Sequence, residues 1–163
     1  MRLMWFPLLL LLAVATCGFA DEFRGRVSWI YDGDTIEVEG VGRVRLLGID
    51  TPEASESQRD LPFLRLGNIP AAGLRTAAEQ IRNELIRTLK GQSVRVESTP
   101  LQRDRYQRLL GYVWLKDGRL LNQWLIEQGW ARVYRRFDFS RKQPFLASED
   151  VARRKKKGLW NAP

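Results

Sequence analysis

Two short stretches carry residues able to do chemistry together: Asp32-Gly33-Asp34-Thr35 and Arg45-Leu46-Leu47-Gly48-Ile49-Asp50-Thr51-Pro52-Glu53. In the second, an arginine enters on an apolar run and two carboxylates leave on a turn. Polar groups at the end of a buried strand are costly to place, so they need a partner or a task. Asp34 and Asp50, if brought side by side, repel unless a cation sits between them or one is protonated. Oxygen donors without nitrogen or sulfur ligands point to calcium or a similar hard ion. Arg45 supplies a guanidinium, which grips phosphate oxygens bidentately and stays charged. Glu53, beyond a stiffening proline, can act as general base for a metal-associated water or position it. A third cluster, Asp104-Arg105-Tyr106-Gln107-Arg108, adds a second arginine for Arg45 and a tyrosine. Two arginines and a cation would neutralise the charge that builds on a phosphorane-like transition state. Singly, each stretch has an ordinary reading: Asp-Gly-Asp is turn chemistry, Glu53 an exposed acid, and 104–108 a basic loop. In combination they point to phosphodiester chemistry.

Composition narrows the options. The 163 residues include 27 Lys+Arg against 19 Asp+Glu, for a formal charge of +8. Such a balance suits a polyanionic partner, of which nucleic acid is the commonest. Histidine is absent and Cys17 is the single cysteine. That removes imidazole bases, Ser-His-Asp triads, histidine- or thiolate-held zinc and disulfides. Residues 1–20 combine one early charge, Arg2, with the run Leu8-Leu9-Leu10-Leu11-Leu12-Ala13-Val14-Ala15 and the ending Gly18-Phe19-Ala20. This is the grammar of a secretory signal peptide, and the apolar run is short for a membrane span. Thr16 before Cys17 is a poor lipoprotein site. The expectation is therefore export to the periplasm or beyond, with 21–163 as one domain holding a core of its own.

The elements that must position these residues follow from periodicity. Residues 24–31 read as a first strand, 35–39 as a second and 43–49 as a third, joined by turns at Asp32-Gly33-Asp34 and Gly40-Val41-Gly42. In an antiparallel meander the start of the second strand and the end of the third lie side by side, so Asp34 and Asp50 can meet. Strict alternation would place Arg45 and Asp50 on opposite faces. Either a bulge at Gly48 corrects this or the strand ends before Asp50. Residues 54–70 read as a long loop. A helix follows from Pro70 or just after, with Leu74, Ala77, Ala78, Ile81, Leu85 and Leu89 on one face and Gly91 past its end. Strands are predicted at 93–98 and 109–115, and helices at 121–128 and 144–157. The sum is an α+β, mainly β, chain: a five-stranded OB-fold Greek-key barrel with three helices.

The three stretches, in this order and spacing, resemble the signatures of the staphylococcal nuclease-like (thermonuclease) family. Gln128-Gly129-Trp130-Ala131 and Gly158-Leu159-Trp160 are similar to that family's late helix end and tail. The resemblance spans roughly residues 24–161. It implies an OB barrel and a calcium-dependent endonuclease that cuts DNA and RNA to 3′-phosphate and 5′-hydroxyl ends; the further expectations are a preference for single strands and a monomer, since nothing in the sequence demands an oligomer. It further implies that Asp34, Asp50 and the Thr51 carbonyl hold calcium. Glu53 would activate or orient the attacking water, and Arg45 and Arg108 would bind phosphate and stabilise the transition state. Arg105 and Tyr106 would line the nucleotide site less critically, and Tyr134 is the candidate stacking residue, although the stretch after Ala131, with Arg135 and Arg136, departs from the family's pattern. Gln107 departs from the glycine common in the family's Tyr-Gly-Arg motif, and the 54–70 loop is expanded. The alternative from another class is an OB module that binds nucleic acid without cutting it. A degenerate module of that kind should have lost some of Asp34, Arg45, Asp50, Glu53 and Arg108, and this chain keeps all five.

Overall fold

The computed structural model describes residues 21–67, 69–98 and 103–161; the expected signal segment, 1–20, lies outside them. Five strands close a barrel: β1 (Asp21–Ile30), β2 (Thr35–Val38), β3 (Gly42–Leu46), β5 (Ser93–Ser98) and β6 (Leu109–Trp114), in the order β1-β2-β3-β6-β5. Its pairs are antiparallel except β3 with β6, which run parallel with Val44 opposite Leu109 and Arg45 opposite Leu110. Inward residues alternate as a half-buried strand requires. Val27, Ile30, Ile36, Val38, Val44, Leu46, Val94, Val96 and Val113 fill the interior.

The third strand is shorter than the expected 43–49, and the reason is Gly48. Its φ of +81° ends the extended run after β3. A Cβ there would also stand 2.5 Å from the Phe139 ring, so glycine is required twice over. Ile49–Asp50 then forms a separate strand, β4, that pairs antiparallel with β7 (Arg132–Val133), a ribbon outside the barrel that local periodicity did not reveal. Of the two options for Asp50, the strand ends first.

Among the described residues four helices surround the barrel, one more than expected: α1 (Leu61–Gly67), α2 (Ala71–Leu89), α3 (Leu121–Glu127) and α4 (Lys142–Arg154). The expected 54–70 loop is thus half helical. Ser57 and Asp60 form a reciprocal capping box that starts a 3₁₀ turn at Gln58–Asp60, and α1 continues from it. Pro62 lies in the first turn, where a missing N–H costs nothing. Phe63 is buried with Leu74 and Leu159 in a small second core. Asp60, itself buried, takes a 2.6 Å ion pair from Arg75 of α2, which ties the segment to the barrel's flank. The apolar face of α2 is Leu74, Ala78, Ile81, Leu85 and Leu89, as the spacing predicts. Among the described residues no helix is long and apolar enough to cross a membrane.

One buried polar side chain holds the break after β3 in place. Asn122 of α3, fully buried, accepts from the Val113 amide at 3.0 Å and donates to the Leu47 and Gly111 carbonyls at 3.0 and 3.2 Å. It thereby satisfies backbone groups that the strand ladder leaves open where β3 stops. Asn122→Leu should destabilise the fold by about 3 kcal/mol, because at least two buried backbone groups lose their partner. Urea unfolding of wild type and variant measures this.

Candidate active site

The end of the barrel beside the β3 break carries a cleft of about 700 Å³. Arg45, Asp50, Glu53, Arg105, Tyr106, Arg108 and Tyr134 all line it, although they come from three separate stretches of the chain. Asp34 and Thr51 stand directly behind Arg45.

Arg45 is the centre. It sits on β3 opposite Thr35 and is only 8% exposed. One guanidinium nitrogen lies 2.7 Å from Asp34 Oδ2 and the other donates to Asp50 Oδ1 at 3.2 Å. Asp34 and Asp50 do meet at one end of the sheet, with the arginine between them. The far oxygen of Asp50 accepts from Arg132 Nη2 at 2.6 Å. Asp34 is fixed further by the Thr51 amide at 3.0 Å, the Thr51 hydroxyl at 3.1 Å and the Thr35 hydroxyl at 3.2 Å. Its amide donates to Asp32 at 2.9 Å, which closes the Asp-Gly-Asp turn.

Acid is in surplus here. Burial, and then the charge of Asp34, push the Asp32 carboxyl up to about 7. The same two causes, in that order, raise Asp50, with Arg45 and Arg132 pulling back against them. Among the described residues no three His, Cys, Asp or Glu side chains are grouped as a ready metal cage. The donor set is nonetheless oxygen only, and a divalent cation would relieve the repulsion that raises Asp50, so calcium fits the chemistry of Asp34, Asp50 and the Thr51 carbonyl.

Glu53 is held by a residue outside the expected set. Arg59, in the 3₁₀ turn before α1, donates to Glu53 Oε1 at 2.7 Å. That hydrogen bond raises the Arg59 guanidinium further above its ordinary value. Across the cleft, Arg108 is aimed by Asp104, which accepts from its Nε at 2.7 Å and from its amide at 3.0 Å. Arg108 Nη1 then reaches Thr35 Oγ1 at 3.2 Å, the same hydroxyl that donates to Asp34. Tyr106, 56% exposed, is flanked by the guanidinium carbons of Arg105 and Arg108 at 4.8 and 5.3 Å from its ring centre. Tyr134 donates its amide to the Gly48 carbonyl at 2.9 Å, and its ring lies 5.0 Å from that of Phe137.

The expected departure at Gln107 has a definite form. Its φ is +62°, so the turn keeps the left-handed conformation that glycine would adopt freely. Gln107 N donates to the Asp104 carbonyl at 2.9 Å, and Arg103 donates to the Gln107 carbonyl at 2.8 Å. The turn that carries Arg108 therefore holds a left-handed non-glycine residue, at a cost in backbone strain.

Local sequence gives no role to Arg132 or Arg59, and none to Asp104 beyond its place at the head of the third cluster. Arg132 had a readable signal: like Arg45 it interrupts an apolar run, here Ala131-Arg132-Val133. It is 8% exposed, and its guanidinium lies 5.1 Å from the Phe63 ring centre. Its Nε is buried without a hydrogen-bond partner among the described residues, and that ring face is its compensation.

Comparison with known proteins adds an independent line. A sequence profile of the family described as Staphylococcal nuclease homologue matches residues 43–162. An uncharacterized endonuclease of Escherichia coli is 34% identical over 143 residues, covering 86% of this chain and 78% of the relative. A thermonuclease of Staphylococcus hyicus is 29% identical over 146 residues, covering 87% and 78%. A thermonuclease of Staphylococcus intermedius is 36% identical over 120 residues, covering 70% and 63%.

Two outcomes are expected from the Arg108 turn. Gln107→Gly should stabilise the fold by about 0.5–1 kcal/mol in urea unfolding, since relief of the left-handed strain exceeds the added freedom of the unfolded chain. The second concerns Asp104. Burial alone would raise its carboxyl, but the Arg108 hydrogen bond and the Arg108 and Tyr106 amides outweigh burial and hold it below the usual range. A lowered folded value contributes stability above the ordinary carboxylate pKa of about 3.9 and loses it as pH falls through the folded value. The stability gap between wild type and Asp104→Asn should therefore be widest near neutral pH. It should shrink progressively below about pH 4, as unfolding at a series of pH values would record.

Proposed function

The chain belongs to the staphylococcal nuclease family, and on that premise we propose that it is a calcium-dependent endonuclease of low sequence specificity. The substrates are DNA and RNA, single strands preferred, and the products carry 3′-phosphate and 5′-hydroxyl ends. The observation that carries this reading is the convergence of Arg45, Arg108 and Glu53 on one cleft beside the Asp34–Asp50 pair. The endonuclease and thermonuclease names of the relatives support it.

The proposed roles follow from the contacts. Asp34, Asp50 and the Thr51 carbonyl would hold calcium. When bound, the ion supplies positive charge to a phosphate oxygen and lowers the pKa of a coordinated water. Arg45 lines the cleft while bonded to both aspartates, and a cation held by Asp34 and Asp50 would free part of its guanidinium for phosphate. Arg45 and Arg108 then bind non-bridging oxygens and offset the charge that grows as phosphorus becomes five-coordinate. Glu53 orients the attacking water or takes its proton, and Arg59 fixes the carboxylate for that purpose. The water oxygen bonds to phosphorus, the bond to the 5′ oxygen breaks, and a proton reaches that oxygen to give the 5′-hydroxyl. Arg105, Tyr106 and Tyr134 contact the sugar and base. The protein acts as a monomer, and it acts outside the cytoplasm, the location being supported by the signal-like segment at 1–20.

Purified protein given single-stranded DNA should cut it with calcium and stop when EGTA is added. Glu53→Ser, Arg45→Ala and Arg108→Ala should each lower kcat by about 10²–10³, the range for loss of one group acting on transition-state charge. Binding without calcium-dependent cleavage would point instead to a non-catalytic OB module. A near-normal rate for Arg108→Ala would remove that residue from the mechanism.

A further inference from the structure

The outer face of the first three strands continues away from the cleft. Thr35 pairs with Arg45 at the cleft's edge, and one step further along the same face Glu37 pairs with Arg43. Glu37 also pairs with Trp29 on β1. Residues two apart on a strand share a face, so Arg45, Arg43 and Trp29 lie on one strip across the sheet. From Asp34 back to Trp29 is five residues, on the order of 15 Å of chain.

That strip ends in an exposed aromatic among cations. Trp29 is 46% exposed, although the barrel interior beneath it is closed and apolar. Lys90 Nζ lies 4.5 Å from its ring centre, and the Arg82 guanidinium carbon 6.0 Å away. Arg82 belongs to α2 and Lys90 caps its end, and among the described residues neither has a carboxylate partner. Arg82 is held in place by donating its Nε to the Tyr31 carbonyl at 3.1 Å. Tyr31, between Trp29 and the Asp-Gly-Asp turn, carries Arg43 at 4.4 Å over its ring. The one acid of the strip, Glu37, is engaged by the Tyr31 hydroxyl at 2.9 Å, with Arg43 at 3.9 Å.

We propose that this strip is a second binding site for the polynucleotide substrate, with a base stacking on Trp29 and phosphates meeting Arg82 and Lys90. Aromatic faces that accept any base, beside cations that track the backbone, are how single strands are held without sequence preference. Arg82 and Lys90 stand beside the exposed Trp29 ring with charge to match a phosphate backbone. The site rests on the nuclease reading for its link to cleavage: a strand seated there leads one end toward Arg45. Long substrates would gain affinity from it, and a dinucleotide in the cleft would not reach it.

The test uses the purified protein with Trp29→Ala, Trp29→Phe and the double variant Arg82→Gln/Lys90→Gln, all checked for unaltered thermal unfolding. Binding of a fluorescent 20-nucleotide oligo(dT) is measured by anisotropy in EGTA, so that no cleavage is needed. Cleavage of the same oligomer and of a dinucleotide is measured with calcium. Trp29→Ala and the double variant should each weaken 20-mer binding about tenfold, within the range for one stacked base. The double variant should also flatten the salt dependence, Trp29→Phe should keep most of the affinity, and dinucleotide cleavage should stay within twofold of wild type. Unchanged 20-mer affinity in both altered sites, alongside normal cleavage, would overturn the second site and leave the nuclease reading intact. Equal loss on 20-mer and dinucleotide would overturn it as well, since the effect would then be on the cleft or the fold. Weakened binding in the variants of a protein that cuts nothing would keep the second site and overturn the nuclease reading alone.

Discussion

A buried arginine between two buried aspartates is the constraint around which this chain is arranged. Taking three charges out of water is unfavourable unless geometry and extra hydrogen bonds compensate. Here they come from every direction: Arg132 on the far side of Asp50, and Thr35, Thr51 and the Thr51 amide on Asp34. Each partner belongs to a different piece of the fold. Asp34 ends the first turn, Asp50 lies on a two-residue strand, and Arg132 arrives on the strand that pairs with it. Such an assembly is fixed in position by its own electrostatics, and loss of any one member would leave a neighbour's charge buried and uncompensated.

The fold serves that assembly by interrupting itself. A barrel strand that ran straight from Gly42 to Asp50 would turn Arg45 and Asp50 away from each other. Gly48 breaks the run, Phe139 occupies the space a side chain would need, and Asn122 satisfies the backbone at the break. The helix segment after Glu53 works similarly. Its capping box and the Asp60–Arg75 pair settle a polar stretch against α2, and Arg59 within it reaches back to Glu53.

Local pattern made much of this legible. Alternation revealed the barrel strands, 3.6-residue periodicity revealed the face of α2, and the order of three polar stretches pointed to the family. What local pattern could not supply depends on distance or on balance. The β4–β7 ribbon joins Asp50 to Arg132 across about 80 residues, so nothing near either end announces it. Helix α1 was concealed because Pro62 reads as punctuation, when it sits in a first turn that tolerates it. Gln107 shows the opposite case: the sequence departs from glycine, yet the turn persists because Asp104 and Arg103 hold both of its ends. Arg59 and Asp104 are ordinary charged residues until their partners are known.

The parallel pairing of β3 with β6 has a kinetic consequence. Val44 and Leu109 are roughly 65 residues apart, and a contact of that range forms only after the loop-closure entropy between them has been met. The register that sets Arg45 opposite Leu110 also brings Arg108, two residues before Leu110, to the Thr35 hydroxyl. Both arginines therefore enter one cleft in the same event that closes the barrel. A chain with only the local meander and α2 in place would hold Asp34 and Arg45 but not their counterpart across the cleft. Chemistry that needs both sides is then coupled to completion of the fold, and an incompletely folded chain carries no working site.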